Sequence, residues 1–180
     1  MVGKAAGLLK QLAPGISSIG FLFNPNTYPY YETNLGSFRA EAQGSQLDLT
    51  AVRVRSEAEI EQAIGMSAGP GIGLICSSDP FTFVHRTRIA RAALQHRIPS
   101  VYFGRQWVAA GGLMAYGPDL TDILRRSVSY VDRILKGANP GDLPVQAPTK
   151  FNFVINVTTA KSLGLDVSAT VLALTDEVIE

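Results

Sequence analysis

Residues 76–86, CSSDPFTFVHR, set a thiol, a carboxylate, an imidazole and several hydroxyls within eleven positions. Such a cluster suits a hydrolase centre, a metal site, or a loop that holds a ligand. An α/β hydrolase seats its serine on a strand-to-helix Gly-x-Ser-x-Gly elbow, and we read no such elbow in the chain. Ser77, Ser78, Asp79 and His85 are near in sequence, but a triad is defined by spatial arrangement and not by adjacency. A metal would need more ligands than His85 and His96, eleven residues apart with no paired cysteines. The glycines of GPGIG, residues 69–73, precede an apolar run where a dinucleotide loop would follow one, so they read as a turn. Holding a ligand is the chemistry that remains, and no cofactor is implied.

The rest of the chain must position that loop. Its 180 residues, 46% hydrophobic, can bury a substantial core. Sixteen basic and fifteen acidic residues leave no general footprint for nucleic acid. The local excess at Arg86, Arg88, Arg91 and Arg97 spreads over the solvated side of a helix. Cys76 stands alone, so no internal disulfide can form, and its place at the end of an apolar run predicts a small core residue. No stretch approaches the roughly 18–20 apolar residues of a membrane span. The first eighteen residues break their apolar pattern at Gln11 and Pro14, so they read as structure and not as a secretory signal.

Apolar runs of strand type recur as SSIGFLF, LDLTAVRV, GIGLICS, SVYFG and GLMAYG, with helical patterns between them. Leu35, Phe38 and Ala42 line one such helix before Gly44. Ser56 and Glu59 form a capping box for a second, whose buried face is Ile60, Ala63 and Ile64. A third runs from about residue 84 to 95. This alternation predicts an α/β fold, a doubly wound parallel sheet with helices on both faces. The strongest helical pattern begins after Asp119, its expected cap. Leu120, Ile123, Leu124, Val128, Val131, Ile134 and Leu135 recur at spacings of three and four, and Gly137 and Pro140 end it. A proline-rich connection, the strand KFNFVIN, a short helix ending at Gly164 and a final helix or frayed tail complete the chain. We divide it into an α/β unit over residues 1–112 and a return strand, amphipathic helix and tail over 113–180.

In a doubly wound sheet, ligands bind in the crevice beyond the carboxyl ends of the strands. The loops NPNTYPYY, SDPFT and GRQW leave three such ends. Asn24, Asn26, Thr27, Ser78, Asp79 and Thr82 supply hydrogen-bonding groups. Tyr28, Tyr30, Phe81, Tyr102 and Trp107 supply flat apolar surface. Arg105, Tyr116 and Asp119, at the ends of the fourth and fifth runs, complete the candidate set. Polar groups beside stacking surface suit a small amphipathic solute such as an amino acid or a heterocycle. Asp79 and Thr82 serve equally well as helix caps, and both readings stay open.

Taken in order, LLKQLAPGISSIGFLFNPNT, GLICSSDPFTFVHR and YGPDLTDILRRSVSYVDRILKGANPGDLPVQ followed by FVINVTTAKSLGL resemble the ABC-transporter substrate-binding family of type I periplasmic binding fold. The resemblance implies a secreted or lipid-anchored receptor, periplasmic or at the cell envelope. Two α/β lobes would close on a small solute and deliver it to a membrane permease, with no catalytic turnover. Some members bind aromatic amino acids. This chain resembles the C-terminal portion, without a full N-terminal lobe, which would leave the strand and apolar helix of residues 113–137 without their usual partner. A homodimer is therefore expected to cover them. Family members often carry a Pro-Thr-Asp-Asn-like string where this chain has SSDPFT; Asp79 keeps the acid, and Pro80 replaces the following Asn. An effector-binding domain of a bacterial regulator is the alternative, with an α/β enzyme behind it.

Overall fold

The computed structural model describes all residues 1–180. Seven strands form one sheet in the order β2-β1-β3-β4-β5-β6-β7. They are β1 (Ser18–Phe23), β2 (Asp48–Arg53), β3 (Ile72–Cys76), β4 (Ser100–Tyr102), β5 (Met114–Pro118), β6 (Phe151–Asn156) and β7 (Glu177–Ile179). The first five run parallel; β6 is antiparallel to β5, and β7 is parallel to β6. The sheet is thus mixed at one end. β1 and β3 are almost continuously apolar because both of their faces are covered. β2, at the edge, alternates buried and exposed positions.

Each face has its own core. On one, helices α1 (Val2–Leu12) and α2 (Tyr30–Gln43) pack with α8 (Val157–Ser162) and α9 (Ala169–Ala173) around Phe21, Phe23, Ile75 and Met114. On the other, α3 (Glu59–Met66), α5 (Arg86–Gln95) and α6 (Arg105–Ala109) surround Leu22, Leu74, Cys76 and Trp107. The first residues are therefore a structural helix, with Val2, Ala5, Leu8, Leu9 and Leu12 buried. A short α4 (Pro80–Val84) precedes α5, and α7 (Leu120–Leu135) follows β5.

Three local expectations need correction. Ser56 does not cap α3, which begins at Glu59. The Glu59 carboxylate instead accepts from the Arg55 backbone N–H at 2.9 Å and from the Ser56 hydroxyl at 3.1 Å, closing the turn before the helix. The C-terminus is not a frayed tail, since Val154, Ile155 and Asn156 pair with Glu177, Val178 and Ile179. The strand after residue 112 does not lack a partner. β5 lies between β4 and β6 with Leu113, Met114 and Ala115 buried, so the sheet runs continuously through both segments of the chain. Only α7 stands clear of the core: none of its sixteen residues is buried. Its bounds do follow the pattern, with Asp119 accepting from the backbone N–H groups of Thr121 and Asp122 and Gly137 at φ +95° just beyond the end.

Cys76 closes β3 in the second core with no exposed surface, and burial pushes its thiol well above the ordinary value. A raised value means less thiolate, the reactive form, at any given pH. We therefore expect no labelling of native protein by a thiol-specific disulfide reagent at pH 8, and one equivalent once urea unfolds it. Prompt stoichiometric labelling of the native state would contradict this placement.

Candidate functional site

Strand order reverses at β1, which has β2 on one side and β3 on the other. The chain leaves the two neighbours β1 and β3 toward opposite faces, so their carboxyl ends border an open crevice. The loop 24–29 follows β1 and the loop 77–79 follows β3, which puts both at this switch point.

Asp79 ties the two loops together. It is 1% exposed, and both carboxylate oxygens are engaged by the protein. Oδ1 accepts from the Thr82 backbone N–H at 2.9 Å and the Thr27 hydroxyl at 3.1 Å. Oδ2 accepts from the Ser77 hydroxyl at 2.6 Å and the Asn24 backbone N–H at 3.3 Å. Asp79 is also the N-cap of α4, in a reciprocal capping box where the Thr82 hydroxyl accepts from the Asp79 N–H at 3.2 Å. Of the two readings left open by the sequence, the cap is thus the one observed for Asp79 and Thr82, both fully buried. Asn24 is buried as well. Its Oδ1 accepts from the Asn26 and Thr27 N–H groups in an Asx turn.

Asn26, Thr27 and Ser78 lie exposed on the rim of the crevice. Tyr28 and Tyr30 are exposed beside them: the Tyr28 ring lies tilted against Tyr31, 4.4 Å centre to centre, and meets Tyr30 edge-on at 5.8 Å. Tyr31 passed unmarked in the sequence because it reads as the first turn of α2. It is half-buried against Phe21 and Phe23. Burial, with smaller contributions from Tyr28 and Asp79, pushes its phenol up to about 12, and the nearby Ser78 backbone amide pulls the other way. Tyr31 is therefore a neutral hydroxyl at any physiological pH, rooting an aromatic shelf at the mouth of the switch point.

A second polar hollow of about 110 Å³ lies farther along the same edge, lined by Gly104, Arg105, Gly117, Asp119, Thr121 and Asn152 among others. Arg105 reaches Glu177 of β7 in a two-pronged ion pair of 2.6–3.0 Å, a partner invisible before the tail was known to be a strand. Asp119 is held below the usual carboxylate range, first by the N–H of Asp122 at the start of α7 and then by Lys150. Tyr116 is half-buried and stacks on Phe151 at 5.6 Å.

Two predicted aromatic surfaces are not surfaces. Tyr102 is completely buried and stacked at 4.7 Å on Trp107, which is 1% exposed. Val101 turns to the first core, so by strand alternation its neighbour Tyr102 points into the second core and not beyond the strand end. Phe81 is half-buried against that core and lies 4.6 Å from the His85 ring. The string Gly65-Met66-Ser67-Ala68-Gly69 has the spacing of a nucleophile elbow that the sequence reading passed over. It ends a helix and precedes a strand, the reverse of an elbow, and the Ser67 hydroxyl donates to the Ala63 carbonyl at 2.8 Å. Hydrogen-bonding groups and aromatic faces at a sheet edge are suited to binding.

The family model for ABC transporter substrate binding proteins matches residues 1–179. The chain belongs to this family. Among curated proteins, this substrate-binding family member is 23% identical over 171 residues to the tyrosine-binding protein of Clostridioides difficile, covering 91% of the chain and 47% of that protein. Among solved structures it matches a conserved domain protein of Vibrio cholerae with a TM-score of 0.88 and 25% identity, over 98% of the chain and 60% of its counterpart. It also matches a Streptococcus pneumoniae ABC domain in complex with L-Trp, with a TM-score of 0.86 and 24% identity over 99% of the chain and 62% of that one. The chain therefore spans about half the length of the curated relative and about three fifths of these structures, and its fold is of the periplasmic-binding type. The family and the relative's name point to a binding role and not an enzymatic one. Substrate-binding members are typically extracytoplasmic, and no helix here is long and apolar enough to cross a membrane.

Proposed function

We propose that this chain forms one wall of a solute cleft in an ABC-transporter receptor, that the solute is an amino acid with an aromatic side chain, and that it is taken up on the outer side of the membrane for a permease. The observation that carries this reading is the aromatic shelf of Tyr28, Tyr30 and Tyr31 at the switch point, with the Asn26, Thr27 and Ser78 polar groups on its rim. Offset and edge-on aromatic contacts favour a planar side chain, and rim hydroxyls and amides can take a carboxylate or an amine. The names of two relatives, one tyrosine-binding and one holding L-Trp, support the same class. Arg105, Tyr116 and Asp119 belong to this proposal as a second polar patch along the same edge. It also includes pairing of two chains through the helix face that the fold leaves open.

Thermal unfolding against a panel of amino acids, nucleosides and small organic acids tests the solute. A ligand at about a hundred times its dissociation constant stabilises by roughly 2.7 kcal/mol, or several degrees for a domain of this size. We expect L-Tyr or L-Trp to raise the midpoint by that amount, L-Ala to leave it unchanged, and Tyr28→Ala to remove the shift. No shift with any aromatic amino acid at millimolar concentration would overturn the reading.

A further inference from the structure

Most polar groups at the switch point bond one another. Asp79 takes the Ser77 and Thr27 hydroxyls and the Asn24 and Thr82 N–H groups. The nearby carbonyls are used as well. Asn24 accepts from the Tyr28 N–H at 3.1 Å, Tyr28 from the Tyr31 N–H at 3.3 Å, and Asp79 from the Phe83 N–H at 2.9 Å. The Ser77 carbonyl accepts from the Thr82 hydroxyl at 2.9 Å. A small set of donors is left over. The Ser78 N–H meets no carbonyl. The Tyr31 and Ser78 hydroxyls take no part in these pairings and donate to no other group of the protein.

The leftover donors stand together. Tyr31 belongs to α2, on the β1 side of the crevice, and Ser78 follows β3 on the other. The Ser78 N–H nonetheless faces the Tyr31 hydroxyl, so the phenol reaches across. Its ring is held by Phe21, Phe23 and Phe38, at 5.3, 5.7 and 6.0 Å centre to centre. Among the three tyrosines of the shelf it is the deepest. A phenol oxygen that faces an N–H turns its own proton away from that amide, and here no protein acceptor takes the proton.

We infer that Tyr31 and Ser78 form the subsite for the carboxylate of the solute, with the Tyr31 hydroxyl as the donor that selects for it. The inference rests on the aromatic amino acid reading above and assigns the end of that molecule that turns inward. A carboxylate only accepts, so it satisfies two hydroxyls at once. An ammonium only donates, and it would find the neighbouring carbonyls already occupied. The charge of Asp79 opposes a second anion nearby, but its carboxylate is buried and each oxygen is met by two hydrogen bonds. Burial also keeps the Tyr31 phenol protonated, so the donor is present at any physiological pH.

Thermal unfolding with three probes, L-Tyr, tyramine and 3-(4-hydroxyphenyl)propionate, tests this on wild type, Tyr31→Phe and Ser78→Ala. Tyramine lacks the carboxylate, and the propionate lacks the amine. We expect L-Tyr and the propionate to raise the midpoint at millimolar concentration and tyramine to leave it unchanged. Tyr31→Phe should weaken both carboxylate probes at least about tenfold, since a hydrogen bond to a charged group is lost, and Ser78→Ala should weaken them less. The unliganded midpoint should barely move, because the Tyr31 hydroxyl bonds no protein acceptor and the ring stays. Tyramine acting as well as L-Tyr, or full L-Tyr affinity in Tyr31→Phe, would overturn the carboxylate subsite and leave the amino acid reading standing. A shift with the propionate and none with L-Tyr would overturn the amino acid reading while the subsite stands. No shift with any of the three would overturn both.

Discussion

Asp79→Ala should destabilise the fold by about 3 kcal/mol and uncouple the two loops of the switch point, because it leaves several buried donors unpaired at once. The Ser77 hydroxyl, the Thr82 and Asn24 N–H groups and the Thr27 hydroxyl all lose their acceptor. Water can reach the Thr27 side, since that residue is exposed, but not Ser77 or Thr82, which have no exposed surface. Asp79→Asn keeps the shape but turns one acceptor oxygen into a donor facing donors, so it should cost about half as much. Ser77→Ala, which removes a donor and leaves the carboxylate three partners, should cost about 1 kcal/mol. Urea unfolding of the three variants checks the order. If Asp79→Asn matched the wild type, the network would not depend on the carboxylate. The same series separates holding from touching. Asp79 has no exposed oxygen to offer a solute, so solute affinity should fall in proportion to the loosening of the loops. A variant that lost all binding with an unchanged unfolding midpoint would instead make Asp79 a direct contact.

This role explains why the segment around Asp79 reads ambiguously. A Ser-Ser-Asp-Pro-x-Thr string carries the signature of a helix start, with Asp as cap, Pro at the first turn and Thr returning the bond. The same residue types serve ligand binding, and nothing local in the sequence separates the two. What decides is the Asn24 amide and the Thr27 hydroxyl, 55 and 52 positions away in the chain. The parallel strands and most helices were legible because each apolar run of β1 and β3 is bounded by turn residues and separated by a periodic helix. Tyr102 misled for a related reason. An apolar run does not reveal that both faces of β4 are covered, and that covering decides whether an aromatic at its end meets solvent or core. The terminal β7 was illegible because it is only three residues long and is fixed by its pairing with β6; Val178 and Ile179 favour a strand, but so short a run does not announce one alone. With β7 went Glu177, and so the state of Arg105.

The small polar hollow depends on a contact that is more severe than its sequence suggests. Gly117 lies in β5, and a Cβ at this position would stand 2.4 Å from the Phe103 carbonyl oxygen and 2.9 Å from its carbon. Those atoms are backbone, not the end of a flexible side chain, so the strand and the β4–α6 connection would have to separate. Gly117→Val should therefore cost roughly 3 kcal/mol or more, well beyond the strand preference that valine would normally contribute. The damage should be directional. Phe103 leads to Gly104 and Arg105, and Gly117 leads to Pro118 and Asp119, so the displaced segments are the two walls of the hollow. The Arg105–Glu177 pair would be drawn apart from the α6 side, while Asp79 and its partners, in the loops after β1 and β3 and at the start of α4, would keep their bonds. Amide hydrogen exchange of the variant should show faster exchange confined to residues 103–109 and 114–121, with protection of 18–23 and 72–76 retained. If the solute rests only on the tyrosine shelf, it should still stabilise this variant. Loss of that stabilisation, with the switch-point strands still protected, would bring the second hollow into the solute cleft.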